Sequence, residues 1–431
     1  MTNDSDPGDS NPSDPNDSEG TPGSDLEGKP ADLADRVASG DLRLHELEAH
    51  VDHETAAAAR RHLLERETDA DLDAVGEHSF DAADAEPNIE NMIGAVGVPV
   101  GIAGPVSVAG GAVEGEKYLP LATTEGALVA SVNRGCGVIR ESGGANARIL
   151  KSRMTRAPVF RVADVTEAER VVSWVRGHTD GLRDVAEGTT SHGELVEVTP
   201  YVVGDSVFLR FGYDTKDAMG MNMATIATQA VCDRIEEATP AELVALSGNL
   251  CTDKKPAAIN AVEGRGRSVT ADVEIDREVL EDRLHTTPEA IDAINTRKNL
   301  VGSAKAASLG FNAQAANVVA AAFLATGQDG AQVVEGANTI TTTDVREASE
   351  TLYASVSLAS LEVGTVGGGT KLPTQAAGLD VVGVRGGGDP AGSNADALAE
   401  VISVGVLAGE LSLLGALASR HLSSAHEQLG R

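Results

Sequence analysis

Leu195-Val-Glu-Val-Thr-Pro-Tyr-Val-Val203 and Ser206-Val-Phe-Leu-Arg-Phe-Gly-Tyr213 read as two neighbouring strands, because β-branched and aromatic residues crowd both runs. Residues 165–175 and 223–237 carry apolar residues at helical spacing, which predicts a helix on either side of the pair. Strand and helix thus alternate between about 159 and 245, within fewer than a hundred residues. That pattern suits a small α+β module inserted into a larger one.

Upstream, residues 31–84 are rich in Ala, Leu, Glu and Arg at helical spacing, predicting several short helices. Residues 90–108 turn to Gly, Pro and β-branched types, the composition of turns and short strands. Thr123 and Thr124 are placed to cap a helix running through Cys136. Downstream, Ala-rich runs at 304–326, 344–362 and 396–424 read as long helices able to pack closely around a central element. The first thirty residues are mainly Asp, Ser, Gly, Pro and Asn, too polar to offset the entropy of ordering, and read as a disordered acidic tail. No internal repeat stands out.

The formal charge of −32, with only nine lysines in 431 residues, is spread along the whole chain. Such a polyanion repels nucleic acid unless a basic patch gathers its cations, and no such patch is visible. Asp and Glu in place of surface Lys keep a protein hydrated where salt screens charge within a few ångströms, so a halophilic cytoplasm is the expectation. Cys136, Cys232 and Cys251 are too few and scattered for a disulfide framework or a CxxC metal site. No metal is expected. The sequence shows no secretion signal and no run of about eighteen apolar residues, so neither export nor a membrane span is expected.

Chemistry concentrates in a few strings. In Ser247-Gly-Asn-Leu-Cys-Thr-Asp253-Lys254-Lys255-Pro256, two lysines follow an aspartate in a chain that has otherwise shed lysine. The triplet reads either as a solvated turn or as a tuned proton donor and oxyanion clamp. Glu125, in Leu121-Ala-Thr-Thr-Glu125-Gly126, is either a first-turn helix acid or a partly buried proton carrier. Asp217-Ala-Met-Gly-Met-Asn222-Met223 leads into a helix whose free amides could receive a phosphate-bearing ligand. No strand-GxGxxG-helix fingerprint is present, so any dinucleotide site is of another kind. Asp329 lies in a turn after the helix at 317–326, and His426 stands close to the C-terminus.

Together these strings resemble class I 3-hydroxy-3-methylglutaryl-coenzyme A (HMG-CoA) reductases. Glu90-Asn-Met-Ile-Gly94, followed by Val98-Pro-Val-Gly-Ile-Ala-Gly-Pro105, is similar to that family's subunit-contact and substrate-binding opening. Thr124-Glu125-Gly126, Asp217 to Met223, Cys251 to Asn260 and Gly327-Gln-Asp329 follow in the family's order. The resemblance spans roughly residues 90–426. It implies an α+β fold: a large helix-centred domain (94–157 and 246–431), an inserted small ferredoxin-like NADP-binding domain (158–245) and a helical N-terminal segment (31–93). It also implies a dimer at least, with the active site at the subunit contact, and a cytoplasmic enzyme.

By motif position, Glu125, Lys254, Asp329 and His426 resemble the catalytic group. Arg156, Ser247, Asp253, Lys255, Lys298 and Asn317 resemble the substrate-holding residues. Asp217, Met219, Gly220, Met221 and Asn222 resemble the nicotinamide-side loop, and Ser191 and His192 fall near the family's 2′-phosphate contact. Gln314 departs from the pattern, which has His there. The implied activity is reduction of HMG-CoA by NADPH to mevalonate and free CoA. NAD-dependent oxidation of mevalonate by the same fold, or a non-catalytic acidic scaffold that binds cations, are the rival readings.

Overall fold

A computed structural model describes residues 28–346, 348 and 350–419. All but the last three residues of the expected tail, and His426 with the end of the chain, lie outside them. The chain divides into two compact units, Met1–Gly97 and Val98–Arg431.

In the first unit, helices Pro30–Ala38 and His53–Thr68 and a 3-10 turn Leu44–Ala49 enclose a small core of Leu33, Leu42, Leu47, Ala56 and Ala59. Asp52 caps the second helix by accepting from the Thr55 amide. The buried Arg60 guanidinium is satisfied by both Glu48 oxygens, 2.6 Å each, and by the carbonyls of Leu44 and Met92.

The second unit is built on ten strands: β1 Val100–Ala109, β2 Glu114–Ala122, β3 Ala145–Arg156, β4 Val159–Arg161, β5 Glu194–Val203, β6 Ser206–Asp214, β7 Glu242–Ala245, β8 Gly266–Asp276, β9 Thr339–Arg346 and β10 Thr351–Leu361. Their main order is β7-β4-β6-β3-β8-β10-β9. Strand β3 joins two regions, since Asn146–Arg153 pairs with β8 while Met154–Arg156 pairs with β6. The fold is thus a mixed α/β structure on a largely antiparallel sheet. Between Val159 and Ala245, the strands β7-β4-β6-β5 are all antiparallel, with helices Val165–Gly177, Thr179–Glu187 and Met221–Ala238 between them. These elements close over their own core, which includes Phe160, Leu209, Phe211, Val231 and Ile235.

A larger core surrounds the helix Ser393–Ala418. That helix is long and apolar enough, by length and composition, to cross a membrane, but 78% of the window that qualifies is buried inside the protein. A helix apolar on all sides is what the middle of a core requires. Small residues admit its neighbours: a Cβ on Gly135 would stand 1.9 Å from the Ala408 carbonyl oxygen. Its two buried carboxylates serve loop backbones. Glu400 accepts from the amides of Gly111, Ala112 and Val113, and Glu410 from those of Ala313 and Gln314 and from the Thr341 hydroxyl.

Three expectations need correction. The run at 344–362 is not a helix: Asp344 to Arg346 end β9, and Thr351–Leu361 form β10. β10 lies between β8 and β9 with both faces largely buried, so its residues run apolar without alternating and resemble a helical segment. The run at 304–326 is broken by Ala307 at φ +56°, and the helix proper is Ala315–Thr326. The helix expected to begin at Thr123 starts at Leu128, because Thr123 Oγ1 instead accepts from the Glu125 amide at 3.0 Å and Ala127 turns left-handed at φ +70°.

Candidate active site

The loop at 247–256 has an unusual backbone. Asn249, Thr252 and Lys254 all take left-handed φ values, 63°, 49° and 58°, a conformation that ordinary residues hold only where surroundings enforce it. At its tip the Lys254 ammonium lies 2.8 Å from Asp329 Oδ2, with the lysine side chain half-exposed. This hydrogen-bonded pairing holds the Lys254 ammonium above the usual lysine range. Asp329 is positioned by its place after the helix Ala315–Thr326, where its other oxygen accepts from the Ala331 amide at 3.0 Å.

Asp253 faces inward. Its Oδ1 accepts from Arg265 Nη2 at 3.0 Å and from Gln332 Nε2 at 3.1 Å, while Arg156 Nη1 lies 3.8 Å from Oδ2. Arg156 also donates to Thr225 Oγ1, at 3.1 and 2.7 Å, on the helix Met221–Ala238. Arg265 Nη2 stands 3.0 Å from Met221 Sδ. The loop at 217–222 therefore meets the lysine loop. It is tied to the Asp329 turn as well, since the Thr365 amide donates to the Asp217 carbonyl at 2.8 Å and the neighbouring Gly364 amide to Gln328 Oε1 at 2.8 Å.

Within the 217–222 loop, the Asp217 side chain is buried. Its carboxylate accepts from the amides of Gly388, Gly392, Asn394 and Ala395, and so caps the start of the central helix. Gly220, at φ +85°, begins the helix Met221–Ala238 without any side-chain cap. Ser191 and His192 are exposed in a turn whose Thr190 hydroxyl donates to Met223 Sδ at 3.1 Å, which places that turn beside the same helix start.

The remaining candidates are more dispersed. Asn317 Nδ2 donates to Glu125 Oε1 at 3.2 Å. Lys298 Nζ donates to Asn299 Oδ1 at 3.1 Å, and burial holds its ammonium below the usual range. Ser247 Oγ meets Cys251 Sγ at 3.5 Å, and Lys255 Nζ donates to the Asp253 carbonyl at 2.9 Å. Gln314 Nε2 donates to the Gly409 carbonyl at 2.5 Å.

Sequence reading passed over the groups beneath the lysine loop. Arg265, Glu335 and Glu362 are completely buried together, with Arg265 Nη1 donating to Glu335 Oε1 at 3.0 Å and to Glu362 Oε1 at 3.3 Å. Burial pushes the Glu335 carboxyl up to about 7 and the Glu362 carboxyl well above its ordinary value. Glu362, a lone charge between Leu361 and Val363, was the signal that could have been followed. Among the described residues no group of His, Cys, Asp and Glu side chains could hold a metal ion.

A sequence model described as hydroxymethylglutaryl-coenzyme A reductase matches residues 56–431. The chain is 75% identical to a 3-hydroxy-3-methylglutaryl-coenzyme A reductase of Haloferax volcanii, over 93% of this chain and 99% of that protein. It is 70% identical to the corresponding Halobacterium salinarum protein, again over 93% and 99%. Among solved structures, a class II 3-hydroxy-3-methylglutaryl-CoA reductase of Streptococcus pneumoniae bound to NADPH shares the fold, with a TM-score of 0.64 at 20% identity over 88% of this chain and 96% of that one. The chain belongs to the hydroxymethylglutaryl-coenzyme A reductase family.

Proposed function

We propose that this chain is a class I, salt-adapted HMG-CoA reductase that converts HMG-CoA, two NADPH and two protons into mevalonate, free CoA and two NADP+. The observation that carries the reading is the Lys254–Asp329 pair, a firmly protonated ammonium at the tip of a constrained loop. NADPH, when bound, supplies hydride. Lys254 then faces the oxygen that gains charge as the thioester carbonyl becomes a hemithioacetal, and again as the aldehyde becomes the alcohol. Asp329 holds the ammonium in place and charged between the two steps. Glu125, oriented by Asn317, relays the proton that completes the alcohol. His426, outside the described residues, is assigned to protonating the departing CoA thiolate.

The module at 158–245 fits the role of the ferredoxin-like cofactor domain. The helix at Met221 starts uncapped beside Met219 and Gly220, leaving first-turn amides for an anionic group, with Asn222, Ser191 and His192 exposed around them. Arg156, Ser247, Asp253, Lys255 and Lys298 supply donors and charge for the carboxylate and hydroxyl of HMG. A separate cavity of about 340 Å³ is lined by Asn133, Arg134, Arg140 and Arg283. In a chain with charge −32, such an arginine cluster suits the phosphates of CoA.

One chain does not bring every group together. Asn317 sits in the first turn of the helix Ala315–Thr326 and Asp329 lies beyond its end, so the Glu125–Asn317 and Lys254–Asp329 pairs are separated by on the order of 15 Å along the axis. This separation supports a dimer whose site combines the Glu125 pair of one subunit with the Lys254 pair of the other. The acidic-scaffold reading leaves the concentration of lysine at 254–255 unexplained.

The test mixes protein, HMG-CoA and NADPH in molar KCl. Two NADPH consumed per thiol released supports the reductase. Activity only with mevalonate, free CoA and NAD favours the oxidative direction, and no turnover in any salt removes the enzymatic reading.

A further inference from the structure

Lys254 is gripped at two points by one short stretch of chain, residues 329–336. Asp329 pairs with its ammonium. Glu335, one helical turn and a half further on, reaches its backbone, because the Lys254 amide donates to Glu335 Oε1 at 3.1 Å. That same oxygen accepts from Asn260 Nδ2 at 3.3 Å and from Arg265 Nη1 at 3.0 Å, while Gln332 in the middle of the stretch bonds both Arg265 and Asp253. The Lys254 residue needs such a hold. Its φ of +58° costs a non-glycine residue roughly 1 kcal/mol or more and persists only when the surroundings fix it.

We infer that Glu335 is a positioning residue for the reduction, acting through the Lys254 amide so that the left-handed turn keeps the ammonium aimed at the reacting oxygen. Its role rests on the reading of Lys254 as the oxyanion donor. Reach, and not charge, is what the geometry requires of it: a single acceptor oxygen lies at the convergence of three donors, while its other oxygen is buried without a partner. Asp329 and Glu335 then act as one clamp, since moving the stretch moves both ends of the lysine.

Two variants separate reach from charge. Glu335→Gln keeps the acceptor in place and removes the carboxylate, whereas Glu335→Asp keeps the carboxylate and withdraws it by one methylene. Turnover and KM for HMG-CoA are measured in molar KCl beside the wild type, with thermal unfolding to establish the folded fraction. Expected is a kcat within about threefold of wild type for the Gln variant and at least tenfold lower for the Asp variant, with KM changed less than threefold. Equal kcat in all three proteins, or a Gln variant slower than the Asp variant, overturns the positioning role. A wild type that does not reduce HMG-CoA removes the functional reading itself, so the two failures are distinct.

Discussion

Asp329 Oδ2 stands 2.8 Å from Lys254 Nζ and holds that ammonium above the usual lysine range. The pairing joins a helix-end turn to a loop more than seventy residues earlier, and it makes the protonation of Lys254 depend on a neighbour. Replacing Asp329 with Asn removes the opposite charge and lets the lysine pKa fall. The alkaline limb of the pH–kcat profile should therefore move to lower pH in Asp329→Asn, with turnover reduced by roughly a hundredfold. An unshifted limb would separate Asp329 from the titration of Lys254.

Burial pushes the Glu335 carboxyl up to about 7, from an ordinary value near 4.5. An acid whose folded pKa lies above its unfolded one is stabilised by its proton. That contribution is complete below pH 4.5 and is lost as pH rises through about 7. Glu335→Gln cannot titrate, so its stability should fall less steeply than that of the wild type between pH 4.5 and 7, by on the order of 2–3 kcal/mol across the window. Urea unfolding at fixed molar salt across that range measures the difference, and parallel curves would contradict the assignment.

The strands β5 and β6 and the long helix were legible because their signals are local: β-branched and aromatic residues crowding β5 and β6, and apolar residues without a polar face in Ser393–Ala418. β10 was not, since a strand buried on both faces loses the alternation that would identify it. At the site, Lys254 was visible through the scarcity of lysine and Asp329 through its motif. Glu335 and Arg265 were invisible because their role depends on a contact seventy residues apart in sequence, between a short helix and the residue that precedes β8. Asp217 was legible only in part. Its motif placed it in a loop beside the cofactor, and nothing local in the sequence showed that its carboxylate accepts from four amides at and before the start of the central helix.

Close packing around the central helix makes Gly135 irreplaceable. A methyl there would collide with the Ala408 carbonyl, which belongs to a helix backbone and cannot step aside. Gly135→Ala should destabilise the protein by about 3 kcal/mol or more despite its better helix propensity. A thermal midpoint unchanged from wild type would mean the two helices separate more easily than this packing implies.

The acidic surface predicts a salt requirement. With a formal charge of −32, the folded state repels itself more strongly than the expanded chain does, and salt removes that penalty by screening. Stability should rise steadily with KCl up to molar concentrations, and dialysis into dilute buffer should unfold the protein. Full activity after such dialysis would count against a salt-adapted design.

The separation of Glu125–Asn317 from Lys254–Asp329 gives the sharpest test of the proposed sharing of the site between subunits. Glu125→Gln and Lys254→Ala each remove one half, so either homodimer should be nearly inactive. When the two variants are unfolded, mixed in equal amounts and refolded in molar KCl, random pairing makes half of the dimers hybrid. In a hybrid, one of the two sites receives intact Glu125 from one subunit and intact Lys254 from the other, while its second site receives neither. Activity should therefore recover to about a quarter of the wild-type value per subunit. If both groups instead acted within one chain, every site in every dimer would lack one of them, and mixing would restore nothing.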